Sequence, residues 1–210
     1  ITGIWGLTFL ISGFASAVAW AWSLNFEPRA VRRGAVALAL VLGVVFGYGS
    51  ARLLLNRQPD RVVTVGGYAD ETSIVSLMET LQTSESAFTE AAAQSHRDYL
   101  AQTRQLAEQG AQIVLWSEGA GIGFEAQVDA LVAEGAALAD ELDLYLAMPT
   151  FTLYPGTDRK PENALVIADP SGEIVMKHVK YGGSEFEGSV PGSKVLQTVE
   201  TPYGTLSGII

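Results

Sequence analysis

The sequence predicts an α/β domain preceded by two transmembrane helices. Two long apolar runs fill residues 1–55, and from residue 61 onward short apolar runs alternate with amphipathic stretches. Such alternation is typical of strands and helices packed in layers. Charge divides the chain at the same place: residues 1–57 carry 5 basic and 1 acidic side chains, whereas residues 58–210 carry 8 and 22. We therefore predict a membrane region over 1–57 and a separate domain over 58–210.

The two apolar runs are each long enough to cross a bilayer, which takes about 20 apolar residues. The first covers about residues 1–26 and the second about 34–55. A secretory signal peptide is not indicated, because a basic start, a short apolar core and a small-residue cleavage site are all missing from the run. The alternative is a pair of buried helices in a soluble core. Trp5, Trp20 and Trp22 are expected at the lipid interface or in helix packing.

The segment between the two runs carries Arg29, Arg32 and Arg33. Loops rich in arginine stay on the cytoplasmic side of a membrane, so the domain from residue 58 onward is expected on the extracytoplasmic side of a cell (inner) membrane. Further arginines beyond the second run act against this orientation. The expected location is multi-pass and membrane-bound.

The first part of the domain reads as alternating strands and helices. The predicted elements are a strand over 61–65, a helix over 86–109, a strand over 111–116, a helix over about 128–142, and a strand over 145–148 closed by Pro149. The strands are β-branched or nearly all apolar, and the helices repeat apolar residues at helical spacing. Residues 70–86 are polar and show no pattern.

The remainder of the domain predicts hairpins and no further helix. Residues 163–168 and 173–180 flank Asp169-Pro170-Ser171-Gly172, a sequence typical of a tight turn. Residues 195–199 and 205–210 flank a second turn at Pro202-Tyr203-Gly204. Helices first and hairpins later indicate a mixed sheet.

Two charged residues stand at predicted strand ends. Glu118 follows the apolar strand 111–116 by two residues, and such a carboxylate in a partly desolvated cleft can serve as a general base. Lys180 ends the strand 173–180, where an ammonium group can stabilise a developing oxyanion. Taken alone, each residue is more often something simpler: a glutamate at a strand end is usually a loop acid in water, and a lysine there usually lies at a sheet edge with its charge in water.

The order of motifs resembles the nitrilase (carbon–nitrogen hydrolase) superfamily. That family has, in sequence, a strand ending in an aromatic-Pro-Glu element, an Asn-containing strand, an Asp-Pro-x-Gly hairpin, a catalytic Lys, a Pro-Gly, and a Thr-Pro-x-Gly turn before the nucleophilic Cys. The counterparts here are Trp116-Ser117-Glu118, Asn163-Ala164-Leu165-Val166, Asp169-Pro170-Ser171-Gly172, Lys180, Pro191-Gly192 and Thr201-Pro202-Tyr203-Gly204. The resemblance spans roughly residues 61–210. It implies part of an α-β-β-α sandwich, with Glu118 and Lys180 as catalytic residues.

The run Ile1-Thr2-Gly3-Ile4-Trp5 onward is similar to a late transmembrane helix of the apolipoprotein N-acyltransferase branch. This branch implies acyl transfer from a phospholipid donor to the N-terminal amine of a lipoprotein acceptor, through a Cys thioester. The chain itself has no cysteine. We therefore expect a fragment that ends just before the nucleophile and is inactive by itself. A membrane-anchored amidase or nitrilase, and a catalytically dead binding module, are the alternatives.

The chain departs from the family at Ser117, where proline is usual, and over residues 181–188, where the acyltransferase branch has an apolar run. The family's second active-site Glu maps to Glu187, which we favour, or to Glu185; both could instead be ordinary loop charges. No cofactor or metal is expected, because His96 and His178 lack companions at ligand spacing. The acidic domain also disfavours nucleic acid as a partner.

Overall fold

The computed structural model describes residues 3–55, 61–70, 74–208 and 210 of the chain. It divides into two compact units, Ile1–Asp60 and Arg61–Ile210. Each unit is described by itself below.

The first unit is a pair of helices, α1 (Gly3–Ser23) and α2 (Pro28–Leu54). Both are long and apolar enough in composition to cross a membrane, over Trp5–Ser23 and Pro28–Leu54. The predicted start of the second helix at residue 34 is wrong, because Pro28 already occupies its first turn, where the missing N–H of proline removes no helical hydrogen bond. The three arginines expected in a loop therefore lie in the first turns of α2.

The second unit is a mixed α/β domain, as the sequence predicts. Its elements in chain order are β1 (Val65–Tyr68), α3 (Ile74–Thr83), α4 (Glu85–Glu108), β2 (Ile113–Trp116), β3 (Gly121–Phe124), α5 (Glu125–Leu142), β4 (Tyr145–Leu153), β5 (Glu162–Ala168), β6 (Ile174–Val179), α6 (Ser184–Glu187), β7 (Thr198–Thr201) and β8 (Gly204–Ser207). The main sheet has the order β1-β2-β4-β5-β6, and β3 also pairs with β4. The pairs β1–β2, β2–β4 and β3–β4 are parallel, while β4–β5 and β5–β6 are antiparallel.

The two faces of the main sheet are covered differently. One face packs against α4 and α5 in a core that includes Val114, Trp116, Leu146, Met148 and Val166. On the other face, a second cluster of Tyr145, Ala147, Leu165, Ile167 and Met176 packs against side chains of the β7–β8 hairpin. The sheet is thus layered between helices on one side and a two-stranded sheet on the other.

The long central strand β4 corrects the sequence prediction most clearly. The strand does not stop at Pro149 but continues to Leu153, and all nine of its residues are buried. On one edge β4 pairs with β2 up to Ala147 and with β3 from Thr150 onward. Pro149 lies in the gap between these two neighbours, a kind of irregularity at which a residue without an N–H is tolerated.

The predicted helices are present, with small shifts at their ends. Ser84 caps α4 by accepting a hydrogen bond from the Ala87 backbone N–H at 3.2 Å. The helix then ends at Glu108, one residue before the predicted end. The second helix begins earlier than expected, since α5 starts at Glu125.

The Asp169–Gly172 hairpin is confirmed between β5 and β6. The Gly172 N–H donates to the Asp169 carbonyl at 2.9 Å, and the Asp169 carboxylate accepts from the Ser171 and Glu173 backbones. These bonds outweigh desolvation and lower the pKa of Asp169 below its ordinary value.

Several other boundaries were wrong. The first strand lies at Val65–Tyr68 rather than 61–65, because it pairs with Ile113–Trp116 and its Gly66 lies against Leu106 of α4. The later hairpin is present, but β7 starts at Thr198 rather than 195. Three elements were not predicted: α3, β3 and α6. All three elements are short. Each of the two helices has one buried residue, which is Leu77 in α3 and Ser184 in α6.

Candidate active site

The main sheet brings the two predicted catalytic residues together. Glu118 follows the end of β2, and Lys180 follows the end of β6. The backbone N–H of Lys180 donates to the carbonyl of Asn163 in β5 at 2.9 Å, which continues the antiparallel ladder between these strands. The lysine side chain is therefore anchored at its base by the sheet.

A four-residue polar cluster forms around the Lys180 ammonium group. Lys180 Nζ donates to Glu118 Oε1 at 2.8 Å and also to Glu187 Oε1. The Asn163 side-chain Nδ2 donates to Glu118 Oε1 at 3.0 Å and to Glu187 Oε2 at 3.1 Å. Both carboxylates are thus tied to the same two donors, one cationic and one neutral. We call Glu118, Lys180, Glu187 and Asn163 the polar floor.

Both donors of the polar floor are largely withdrawn from water. Asn163 is 3% exposed, and the Lys180 side chain is 13% exposed. The hydrogen bonds that Lys180 donates to Glu118 and then to Glu187 raise its pKa despite desolvation, which favours the charged ammonium form. Desolvation alone would raise the pKa of Glu187, but the bonds from Lys180, Asn163 and Ser189 together lower it. The cluster therefore holds charged side chains at a site that is partly shielded from water.

The polar floor leaves two hydrogen-bonding functions unused. Lys180 Nζ has three N–H bonds and donates two of them within the described residues. Glu118 accepts both of its bonds at Oε1, and the side chain is 53% exposed, so Oε2 is open to a proton. The site therefore offers one spare cationic donor and one spare carboxylate oxygen side by side.

The orientation of the Asn163 amide follows from its two acceptors. Both of its N–H bonds point to carboxylates, which leaves Oδ1 buried and without a hydrogen bond among the described residues. A flipped amide would face two anionic oxygens with a carbonyl. Asn163 belongs to the site, although the sequence indicated it only as part of a motif and not as a site residue.

Helix α6 places Glu187 in the polar floor and leaves Glu185 outside it. This single turn is bounded by Gly183 (φ 80°) and Gly188 (φ 70°), conformations that favour glycine. Ser189 Oγ donates to Glu187 Oε2 at 3.3 Å and steadies the carboxylate. The glycines thus turn the chain so that Glu187, and not Glu185, reaches Lys180.

The Pro191-Gly192 motif packs the loop against the strand that carries Lys180. The Gly192 N–H donates to the Lys180 carbonyl at 2.8 Å. A side chain at Gly192 would collide with the Val179 carbonyl, so the close approach requires glycine. This contact fixes the backbone on both sides of the lysine.

Ser117, the departure from the family pattern, has a hydrogen bond of its own. Its Oγ lies 2.7 Å from the hydroxyl of the buried Tyr99 in α4. The same hydroxyl accepts the Asp70 N–H at 3.1 Å. This network links the residue before Glu118 to α4.

A cavity of about 610 Å³ opens above the polar floor. Glu118, Asn163 and Glu187 line its polar end. Its other lining residues are Ile74, Val75, Met78, Glu79, Gln82, Gly119 and Phe151. Its volume falls in the range of small-molecule sites, which is about 300–1,000 Å³.

A second cavity, of about 470 Å³, lies beside α5. Both of its cations pair with carboxylates of the same lining: Arg159 with Glu125 at 2.9 Å, and Lys177 with Glu162 at 2.7 Å. Asp129 is the remaining charged residue of the lining, and among the described residues no cation there is shared by two carboxylates as Lys180 is. The cavity above the polar floor is therefore the candidate active site.

Neither histidine lies in the polar floor. His96 is buried, and its Nε2 lies 2.9 Å from the Ile122 carbonyl oxygen; burial lowers its pKa. His178 is buried in β6. Over residues 3–55, 61–70, 74–208 and 210, no group of three potential ligands is placed to hold a metal ion.

No protein-family model matches the chain, and no curated protein matches it. Similar solved structures are those of an amidase from Nesterenkonia sp. AN1. One, a variant with acrylamide added at the active-site cysteine, is 20% identical with a TM-score of 0.45, covering 70% of this chain and 56% of its own. Another, a variant described as belonging to the nitrilase superfamily, is 21% identical with a TM-score of 0.46, covering 71% and 56%. The chain spans little more than half the length of these structures.

Proposed function

We propose that the protein is a membrane-anchored acyltransferase of the nitrilase superfamily. It transfers an acyl chain from a phospholipid to the N-terminal amine of a lipoprotein, through a thioester on cysteine. The observation that carries the proposal is the Lys180 ammonium group beside a cavity, which donates to Glu118 and Glu187 and has a third N–H bond without an acceptor among the described residues. The proposal requires a cysteine nucleophile, which is not among these 210 residues.

The first half-reaction forms the thioester. Glu118 Oε2 accepts the thiol proton, which a free cysteine with a pKa of about 8.5 mostly retains at neutral pH. The thiolate attacks the carbonyl carbon of the phospholipid ester, and the spare N–H of Lys180 stabilises the tetrahedral oxyanion. The carbon–oxygen bond of the ester then breaks, and Glu118 returns its proton to the departing lysophospholipid oxygen.

The second half-reaction consumes the thioester. The lipoprotein amine attacks the thioester carbonyl, again with Lys180 at the oxyanion, and Glu118 accepts a proton from the amine. The carbon–sulfur bond breaks, an amide forms, and the thiolate recovers the proton through Glu118. Because one product leaves before the second substrate binds, ping-pong kinetics are expected.

The packing of the last strand supports a nucleophile near the polar floor. Gly208 lies against Leu165, since a Cβ on this glycine would collide with that side chain. Leu165 is two residues from Asn163 along β5, so both side chains lie on the same face of the sheet. Gly208, directly after β8, thus lies over the face that carries Asn163.

The first unit supports a membrane location for the reaction. Two helices of sufficient length and apolarity precede the domain, with Arg29, Arg32 and Arg33 at the connected ends. We propose that these ends face the cytoplasm and that the domain works on the extracytoplasmic side of the inner membrane. Anchoring confines the enzyme and its lipid donor to the same surface.

The second candidate function is a membrane-anchored amidase or nitrilase, in which water consumes the thioester. Residues 181–188 favour it, because Tyr181, Gly182, Gly183, Glu185 and Glu187 replace the apolar loop expected for the acyltransferase branch. A catalytically dead module would have another residue in place of the cysteine. The experiment below separates these three.

The test measures acyl-enzyme formation by the full-length protein. The wild type, given phospholipid with a labelled acyl chain, should gain the mass of the acyl group at the cysteine, and a peptide with a free N-terminal amine should discharge it faster than water does. Glu118→Gln should lose thioester formation, while Glu108→Gln, an exposed change at the end of α4, should not. Discharge by water alone would indicate the amidase, and no thioester with any ester or amide would indicate the dead module.

A further inference from the structure

We propose that helix α3 forms the wall of an acyl-chain subsite in the cavity above the polar floor. The subsite takes an unbranched acyl chain whose carbonyl carbon lies at Lys180. The inference rests on the proposed function, which does not itself say where the chain binds. It assigns chain selectivity to Ile74, Val75 and Met78, which we call the apolar wall.

The apolar wall and the polar floor line one continuous cavity. Ile74, Val75 and Met78 line the same cavity as Glu118, Asn163 and Glu187, and Phe151 also belongs to the lining. A ligand there meets the carboxylates of the polar floor and the hydrocarbon side chains of the apolar wall, and Glu79 and Gln82 of α3 also line the cavity. An acyl ester has this polarity, since a polar carbonyl group is joined to an apolar chain. A small polar amide would leave the wall unused.

The apolar wall exposes side chains that a soluble helix would normally cover. Val75 is 62% exposed and Ile74 is 37% exposed. Both lie at the start of α3, on the side that faces the cavity, while Leu77 points into the core at 3% exposure. Covering exposed apolar surface with a hydrocarbon chain is favourable because it removes both surfaces from water.

The apolar wall packs directly against the loop that carries Glu118, the proposed catalytic base. The side chain of Ile74 contacts Gly119, the residue after Glu118, closely enough that a Cβ there would lie 3.1 Å from Ile74 Cδ1. On its other side, Leu77 packs with Phe88 and Ile122. The wall therefore has a fixed distance from Glu118, as a subsite that measures chain length requires.

The first test compares acyl donors of two chain lengths in the full-length protein. We expect the wild type to be acylated at least tenfold faster by p-nitrophenyl dodecanoate than by p-nitrophenyl acetate. Val75→Trp should fill the cavity and reduce that ratio at least fivefold. Val75→Asn, which removes apolar surface without adding bulk, should reduce the ratio in the same direction. Thr83→Trp, on α3 but outside the cavity lining, is the matched control and should not.

The second test locates the chain without requiring catalysis. A dodecanamide with a diazirine at the end of its chain is irradiated with the Lys180→Ala protein, and the labelled peptide is identified by mass spectrometry. Label on residues 74–83 that is lost in the Val75→Trp background supports the subsite. Label elsewhere, or an unchanged chain-length ratio in the Val75 variants, overturns it. If no donor forms a thioester, the proposed function fails, and the labelling alone decides whether α3 binds the chain.

Discussion

The two sides of the candidate active-site cavity are held in place by different forces. The polar floor lies at the strand ends of the main sheet. Asn163 is 3% exposed there, and both carboxylates accept hydrogen bonds from the same donors. The apolar wall stands on a ten-residue helix, α3, of which only Leu77 is buried. One side is cross-linked by charged hydrogen bonds, and the other is attached by a few apolar contacts.

This difference separates chemistry from selectivity. Groups that act on a transition state must be held rigidly, because small displacements of reacting atoms are costly. A wall that only covers a hydrocarbon chain can vary without disturbing those groups. We therefore expect changes in the polar floor to affect every acyl donor equally, and changes in the apolar wall to affect long donors more than short ones.

The largest effect is expected at Lys180, where the floor has its only cation. Lys180→Met keeps the apolar stem but removes the charge, and loss of an oxyanion donor costs about 10²–10³-fold in rate. Acylation of the full-length protein by dodecanoyl and acetyl esters should fall by the same factor. A loss confined to the long donor would contradict the division between floor and wall. Circular dichroism should confirm that the variant is folded, because two carboxylates lose their shared partner.

A smaller effect is expected at Glu187, for which the chain offers its own control. Glu187→Gln weakens the hold on Lys180, and displacement of a catalytic group by about 1 Å can cost 10²-fold. Glu185→Gln makes the same chemical change two residues away, outside the polar floor, and should leave acylation within twofold of the wild type. Rates for both ester lengths measure the effect. Equal losses in the two variants would show that the helix α6, rather than the carboxylate, is what matters.

The residues of the polar floor were easier to predict from the sequence than those of the apolar wall. Glu118 and Lys180 each follow an apolar stretch that predicts a buried strand. A charged residue in such a position can be recognised from the neighbouring sequence alone. Their approach to within 2.8 Å depends on the pairing of β2 and β6 through β4 and β5, which no local pattern encodes. The resemblance to a family supplied that long-range information.

The wall was missed because its signal is weak. Residues 70–86 are largely polar, and α3 fully buries one side chain, Leu77, with Met78 and Leu81 only partly buried against the same core cluster. The sequence prediction also ended β4 too early, at Pro149. Proline is typical of a strand end, but β4 continues because it pairs with β2 before this residue and with β3 after it. Likewise, Asn163 looks like an ordinary buried strand residue until its two carboxylate partners are known.

The smallest effect within the floor is expected at Asn163, which we treat as a positioning residue. Asn163→Ala removes one hydrogen bond to each carboxylate, and a bond to a charged group contributes about 1.5–3 kcal/mol when intact. Lys180 still holds both carboxylates, so we expect acylation to slow only about tenfold, which corresponds to 1.4 kcal/mol. Acetyl and dodecanoyl donors should be affected alike.

The pH dependence distinguishes positioning from simple support of the fold. The Asn163 side chain helps to lower the pKa of Glu187, so its removal should raise that pKa toward the ordinary value. Glu187 would then lose its charge, and its hold on Lys180, at a higher pH as the solution is acidified. The acid side of the acylation profile should therefore move to higher pH in Asn163→Ala. If the profile keeps its shape and falls uniformly, Asn163 only supports packing, and the polar floor reduces to Glu118, Lys180 and Glu187.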